Sequence, residues 1–172
     1  GTWDGGPSQD MECRGADTME EFNRQHDKIV AAIAAMDPDI AGLIEIENDV
    51  ADAAVQSLVD GVNAVVGVGT YDFIHTGPIG TDAIRVALIY KPAAVTPLGD
   101  FAILDSSVDA RFLDKKNRPV LAQTFMDGGN GVFTVAVNHL KSKGSDCDDV
   151  FDPDLGDGAG NCNLTRVAAI QA

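Results

Sequence analysis

The chain has 172 residues, with 12 Lys and Arg against 27 Asp and Glu and a formal net charge of -15. Its hydrophobic content of 45% is typical of one globular domain, and no apolar run approaches the ~20 residues that cross a membrane. We therefore expect no membrane partner and no cationic module that coats nucleic acid. Wherever such an acidic chain handles phosphate, metal ions must offset its own negative field.

The first predicted helix begins at a capping box. Thr18 can accept a hydrogen bond from the backbone of Glu21, and the helical pattern continues to about residue 36. Its predicted apolar face holds Phe22, Ile29, Val30, Ile33 and Met36.

A buried strand and a second helix are predicted next. The apolar segment 39–45 favours a strand that ends at Glu45, and Asn48 or Asp49 can cap a helix to about residue 66. Asn163 can cap a last helix near the C-terminus. Further strands are predicted at 71–75, 84–90, 95–98, 120–125 and 132–138, the last two joined by a turn at 127–130. This order indicates an α/β or α+β domain.

Two polar residues stand at the ends of apolar strands, where open α/β sheets bind ligands. Glu45 offers a carboxylate suited to a hard cation, and Glu47 either shares that site or is a surface residue. His139 ends the segment FTVAVNH, and the alternative is a structural, hydrogen-bonded histidine. Asn138, Lys141 and Lys143 beside it add amide and cationic groups suited to phosphate.

Two further candidates precede strands. Asp82 lies just before the strand IRVALIY and can hold an imidazole in one tautomer, or it is a turn residue. Arg118 precedes Pro119 and is a phosphate clamp or a surface cation. The Asp-rich segment 146–157 roughly resembles an EF-hand loop, but its spacing differs and the Glu at the twelfth position is missing.

The chain has three cysteines, Cys13, Cys147 and Cys162. A bridge between the last two would close an acidic, glycine-rich loop that has no core of its own and would indicate an oxidising compartment. Cys13 would then be free or paired outside this chain. The alternative is three unpaired thiols in a reducing compartment.

Four segments resemble the endonuclease/exonuclease/phosphatase superfamily, the fold group of pancreatic deoxyribonuclease, and most nearly its secreted bacterial nucleases. The segments lie in the family's order at 14–48, 80–92, 118–125 and 132–166, and the last includes the cysteine pair. The resemblance implies an α/β (α+β) fold, part of a four-layer sandwich in which two mixed sheets pack face to face.

The resemblance also implies roles. Glu45 matches a metal ligand, His139 the histidine that hydrogen-bonds or protonates the scissile phosphate, Asp82 the acid that orients this histidine, and Arg118 an arginine that contacts phosphate. The implied reaction is hydrolysis of a phosphodiester with Mg²⁺ or Mn²⁺. Separately from the resemblance, the Asp-rich segment 146–157 is a candidate site for a structural Ca²⁺. DNA or RNA is the implied substrate, in a secreted, extracellular bacterial protein without an evident obligate protein partner.

The family pattern contains more than these segments. Members carry an Asn on an earlier strand, a Gly-Asp-x-Asn segment and a final Asp-His pair, and none of these is matched within 1–172. We therefore expect a part of the catalytic domain that is inactive by itself. The alternatives are an inositol-phosphate phosphatase or a sphingomyelinase-type phospholipase of the same superfamily, or a non-catalytic calcium-binding or adhesion module.

Overall fold

The computed structural model describes residues 18–172, residues 15 and 16, and the backbone of two short strands near the N-terminus. These strands, β1 (Asp4–Gly5) and β2 (Met11–Glu12), pair with each other. Cys13 lies outside the described residues, so its predicted lack of a partner in this chain stays a prediction.

The order of the following elements is the predicted one, a helix, a strand and a second helix followed by several strands. In chain order they are α1 (Met19–Met36), β3 (Ile40–Glu47), α2 (Ala53–Val66), β4 (Asp72–Phe73), β5 (Ile84–Tyr90), β6 (Val95–Leu104), β7 (Arg118–Asp127), β8 (Val132–His139) and α3 (Asn163–Gln171), with a 3₁₀ turn at Asp148–Val150 before α3. Over the part of the chain that the structure describes, every helix is too short or too polar to cross a membrane.

The predicted capping box starts α1. The backbone N–H of Glu21 donates to the hydroxyl of Thr18 over 3.1 Å, which satisfies one of the free donors of the first turn. The predicted apolar face is only partly right, because Ile29 and Met36 are at least half exposed. The face that packs against α2 is narrower and centres on Val30 and Ile33.

The second helix is held at its start by Asp49, one of the two predicted caps. Its carboxylate accepts hydrogen bonds from the backbone N–H groups of Ala51, Ala53 and Ala54 at 2.7 to 3.0 Å. Burial raises the pKa of Asp49, but these bonds and the charge of Arg85 together lower it more, so the pKa falls below its usual value.

Two three-stranded sheets form the centre of the molecule. Their strand orders are β3-β5-β4 and β6-β7-β8, and every pairing in them is antiparallel. The prediction of mixed sheets is therefore corrected for the described strands. Consecutive strands such as β7 and β8 are joined by a hairpin turn rather than by a crossover helix, and a hairpin returns the chain in the opposite direction.

The layers match the predicted sandwich. Helices α1 and α2 cover one face of β5, the other face of β5 packs against β7 and β8, and α3 covers the outer side of β7 at one end. The two sheets lie close together at Gly42, where a Cβ atom would lie 2.9 Å from the side chain of Val137. This contact brings β3 beside β8.

Candidate functional site

The strand that carries Glu45 was expected to end at that residue. In the structure it continues to Glu47. Its pairing with β5 shifts between Leu43 and Ile46, which is the signature of a β-bulge. Glu45 lies in that bulge with φ 59°, a left-handed conformation that costs a non-glycine residue free energy. The bulge points the carboxylate outward, and 67% of the Glu45 side chain is exposed.

His139 is the last residue of β8 and lies beside Glu45. Side chains alternate along a strand, so His139 shares the face of Val137, which is directed at the opposite sheet. The Nε2 atom of His139 is 3.8 Å from Oε1 of Glu45, and only 16% of the histidine side chain is exposed. The structure thus brings together the two residues expected to act on the same phosphate.

Asp82 and Arg118 form an ion pair at the same end of the sandwich. Oδ2 of Asp82 lies 3.0 Å from Nη2 of Arg118, and Arg118 is the cross-strand partner of His139. Among the described residues, Nδ1 of His139 and Nε of Arg118 are buried without a hydrogen-bond partner. The expectation that Asp82 holds the second ring nitrogen of His139 is therefore wrong in this structure, because its carboxylate is directed at the guanidinium instead.

The electrostatic surroundings of His139 favour the neutral ring. Burial and the nearby charge of Arg118 lower the pKa of His139, and the carboxylates of Glu45 and Asp82 offset this only in part.

The loop that carries Asp82 is packed against the start of β7. Gly80 has φ 66°, and a Cβ atom there would lie 3.1 Å from Cδ and Cγ of Pro119, next to Arg118. Asn48 fastens the same loop from the other side, because its fully buried side chain bonds to the backbone of Ile79 and Asp82. This role is not visible in the sequence, where an asparagine before a helix indicates a cap.

The three remaining predicted phosphate contacts are less well placed. Asn138 is exposed and alternates with His139, so it faces the outer side of β8. Lys141 follows the strand, and its backbone N–H donates to the side chain of Asn117 over 3.0 Å. The stem of Lys143 lies against Gly160, and the residue as a whole is exposed.

The residues at this end of the sandwich offer a magnesium ion one exposed carboxylate, that of Glu45, but no complete set of protein ligands. Within residues 15, 16 and 18–172, no cluster of three or more His, Cys, Asp or Glu side chains could enclose an ion. Mg²⁺ commonly keeps several waters and takes one or two carboxylates together with substrate phosphate. The exposed carboxylate of Glu45 therefore suits Mg²⁺ or Mn²⁺ as a single protein ligand.

The predicted disulfide between Cys147 and Cys162 is present. It closes the long segment between β8 and α3, and both cysteines are fully buried. The buried carboxylate of Asp152 accepts a hydrogen bond from the backbone N–H of Thr165 over 2.7 Å in the first turn of α3. This carboxylate, rather than the predicted Asn163, satisfies the start of the helix.

Two aspartate carboxylates of the segment 146–157 accept hydrogen bonds from nearby backbone N–H groups. Asp154 accepts from the N–H of Gly156 over 2.8 Å, and Asp157 accepts from the N–H of Ala159 over 2.9 Å. With Asp152 committed to α3, the described residues supply no ready cage for Ca²⁺. Calcium binding by this segment stays a prediction.

The fold is similar to solved structures, although the chain matches no protein-family model and no curated protein. An endonuclease/exonuclease/phosphatase from Bacteroides vulgatus is 18% identical with a TM-score of 0.50, over 71% of this chain and 46% of that chain. Two structures of ANGEL2, a 2',3'-cyclic phosphatase, have TM-scores of 0.47 and 0.48 at 16% identity, over 65% of this chain and 30% of theirs.

The first of these structures confirms the fold that the sequence resemblance implied. This chain has the α/β fold of an endonuclease/exonuclease/phosphatase, with helices outside two packed sheets. It spans less than half the length of each of these three solved chains.

Proposed function

We propose that the protein carrying this chain hydrolyses phosphodiester bonds with the help of a divalent metal ion. The observation that supports this most is the meeting of Glu45, Asp82, Arg118 and His139, which come from four separate segments, at one end of the sandwich. A strained bulge at Glu45 and unsatisfied nitrogens on the neighbouring side chains are features that cluster at functional sites.

The proposed roles follow from the position of each group. Glu45 binds Mg²⁺ or Mn²⁺, and such an ion, when bound, polarises a phosphoryl oxygen and stabilises developing negative charge. Arg118 holds a substrate phosphate through the donors that Asp82 leaves open. His139 hydrogen-bonds the same phosphate or transfers a proton at Nε2, the ring nitrogen that faces Glu45.

Nucleic acid, with DNA first and RNA second, is the substrate class that we propose. The basis is the sequence resemblance to secreted nucleases, together with the disulfide, since disulfides persist in oxidising compartments. Lys141 and Lys143 follow the site strand and would contact further phosphates. With a net charge of -15, the protein would rely on the metal ion rather than on a cationic surface.

A substrate panel tests the proposed function. The whole protein that carries this chain is assayed on duplex DNA, RNA, an inositol phosphate and sphingomyelin, with Mg²⁺ and after chelation. We expect hydrolysis of nucleic acid that chelation abolishes and added Mg²⁺ restores. Hydrolysis of only the inositol phosphate or the lipid would favour the alternative enzymes, and no hydrolysis together with tight Ca²⁺ binding would favour the non-catalytic module.

Metal binding can be measured without turnover. Mn²⁺ broadens the nuclear magnetic resonance signals of nearby nuclei, so the signals around Glu45 and His139 should broaden first. Glu45→Gln should remove this effect, whereas Glu20→Gln, on the exposed side of α1, is the control that should leave it unchanged. Equal broadening in the Glu45→Gln variant would contradict the assignment of the ligand.

A further inference from the structure

Asn48 is fully buried, and both polar ends of its side chain are hydrogen-bonded. Its Nδ2 atom donates to the carbonyls of Ile79 and Asp82, each over 2.9 Å, and its Oδ1 accepts from the N–H of Ile79 over 2.9 Å. Its own N–H donates to the carbonyl of Ala83 over 2.8 Å. These four bonds clamp the loop before β5 to the end of β3.

Both ends of this clamp carry residues of the site. Glu45 lies three positions before Asn48 on the bulged strand, and Asp82 lies inside the clamped loop. Asp82 pairs with Arg118, which in turn is the cross-strand partner of His139. The hydrogen bonds of one side chain therefore connect the metal-binding side of the site with its phosphate-binding side.

We infer that Asn48 is a positioning residue that sets the distance between Glu45 and the Asp82–Arg118 pair. The inference rests on the proposed function for its effect on turnover. Asn48 has no exposed surface and cannot touch a substrate, so it acts only through the two segments that it joins. Loss of such a supporting residue typically lowers activity by roughly 10- to 100-fold.

The chain contains a matched control for this clamp. Asn63 accepts from the N–H of Tyr71 over 2.8 Å and donates to its carbonyl over 2.9 Å, which is the same kind of side-chain clamp on a loop. Tyr71 precedes β4, which pairs with β5 at Tyr90, whereas Asn48 lies near the opposite end of β5. Disturbing Asn63 should therefore cost stability without reaching the site.

The test compares Asn48→Asp and Asn48→Ser with Asn63→Asp and Asn63→Ser. Aspartate keeps the shape and the Oδ1 acceptor but removes the Nδ2 donors, while serine is a milder change should the aspartate variant fail to fold. The measurements are urea unfolding, kcat and KM on a phosphodiester with saturating Mg²⁺, and the Nε–H resonance of Arg118. This buried N–H group is a reporter that does not depend on turnover.

We expect the Asn48 variants to lose roughly 10- to 100-fold in kcat/KM, mainly in kcat, and to shift or broaden the Arg118 resonance. The Asn63 variants should lose similar stability while keeping both the kinetic constants and the resonance. Folded Asn48 variants with an unchanged Arg118 resonance would overturn the inference. If the wild-type protein hydrolyses nothing, the proposed function fails, and the resonance still decides whether Asn48 positions the site.

Discussion

The guanidinium of Arg118 and the carboxylate of Asp82 lie 3.0 Å apart and join the first residue of β7 to the loop before β5. Because the carboxylate faces this arginine, Asp82 orients the side chain that we propose to bind phosphate rather than the ring of His139. The pair also leaves Nε of Arg118 without a partner among the described residues. The Arg118 side chain is 23% exposed, so its remaining terminal N–H groups, unlike the buried Nε, are available to a phosphate.

The pairing predicts that Asp82 and Arg118 act as a unit. Asp82→Asn should lower kcat/KM by roughly 10-fold, because it releases the guanidinium without removing it. Arg118→Ala should cost more, and the double variant should cost less than the product of the two single effects. A cycle of kcat/KM values for the four proteins measures this coupling, and strictly independent effects would contradict the pairing in solution.

The backbone conformation of Glu45 costs stability, while its carboxylate is needed for the proposed metal binding. Its φ of 59° suits glycine, so Glu45→Gly should be more stable than Glu45→Ala by about 1 kcal/mol. Both variants should lose metal-dependent activity, since both remove the carboxylate. Urea unfolding of the two variants checks the first statement, and equal stability of the two would show that the left-handed backbone is not retained in solution.

The disulfide should contribute strongly to stability. Cys147 and Cys162 are separated by 15 positions, and closing a loop of that size stabilises a protein by about 3 kcal/mol in the chain-entropy model. Replacing both cysteines with alanine should lower the free energy of unfolding by that amount. Wild-type protein in a reducing agent is the control and should behave in the same way. An unreduced mass that shows both thiols free would exclude the bond.

Asp152 predicts a specific response to acid. Burial raises its pKa, but hydrogen bonds from Thr165 and Leu164 and the charge of Arg166 lower it more, so the net pKa lies below the usual 3.8. A lowered folded-state pKa stabilises the protein above the unfolded-state pKa, and this contribution is lost as the pH falls through the folded-state value.

Asp152→Ala should therefore cost about 1 kcal/mol at neutral pH, as for other helix caps, and progressively less below about pH 4. Urea unfolding of both proteins between pH 7 and pH 3 measures the difference. Asp148→Ala serves as the control, since this exposed carboxylate lies in the same segment. A stability gap that stays constant down to pH 3 would show that the charge of Asp152 is not involved.

Local patterns were sufficient to predict most of the elements. The capping box at Thr18 and the apolar run over 84–90 depend on neighbouring residues, and the structure has the helix and the strand there. Strand β6 was predicted to end at Leu98, but it continues past Gly99 through a register shift to Leu104. The strand extends to Leu104 because it pairs with β7 over this length. Such pairing partners cannot be identified from a single sequence.

The candidate residues could be chosen from the sequence, but the contacts between them could not. Glu45, His139, Asp82 and Arg118 stand next to apolar strands, and that position could be found from the sequence. Their distances depend on the bulge in β3 and on the register of β7 against β8, which only the folded sheets define. For the same reason the sequence alone indicates Asp82 as the partner of His139, and it leaves Asn48 and Asp49 as equal candidates for the cap of α2.

Turnover by the His139→Ala variant tests the central claim most directly. The measurement is kcat on duplex DNA at saturating Mg²⁺ for the whole protein, with His75→Ala as the control, since His75 is exposed and paired with Asp52 and Asp72. We predict that His139→Ala lowers kcat by ~10²–10⁴, as expected for loss of a proton-transferring or charge-stabilising group, while His75→Ala does not. Wild-type turnover by His139→Ala, with an unchanged circular dichroism spectrum, would contradict the account and leave this histidine a structural role.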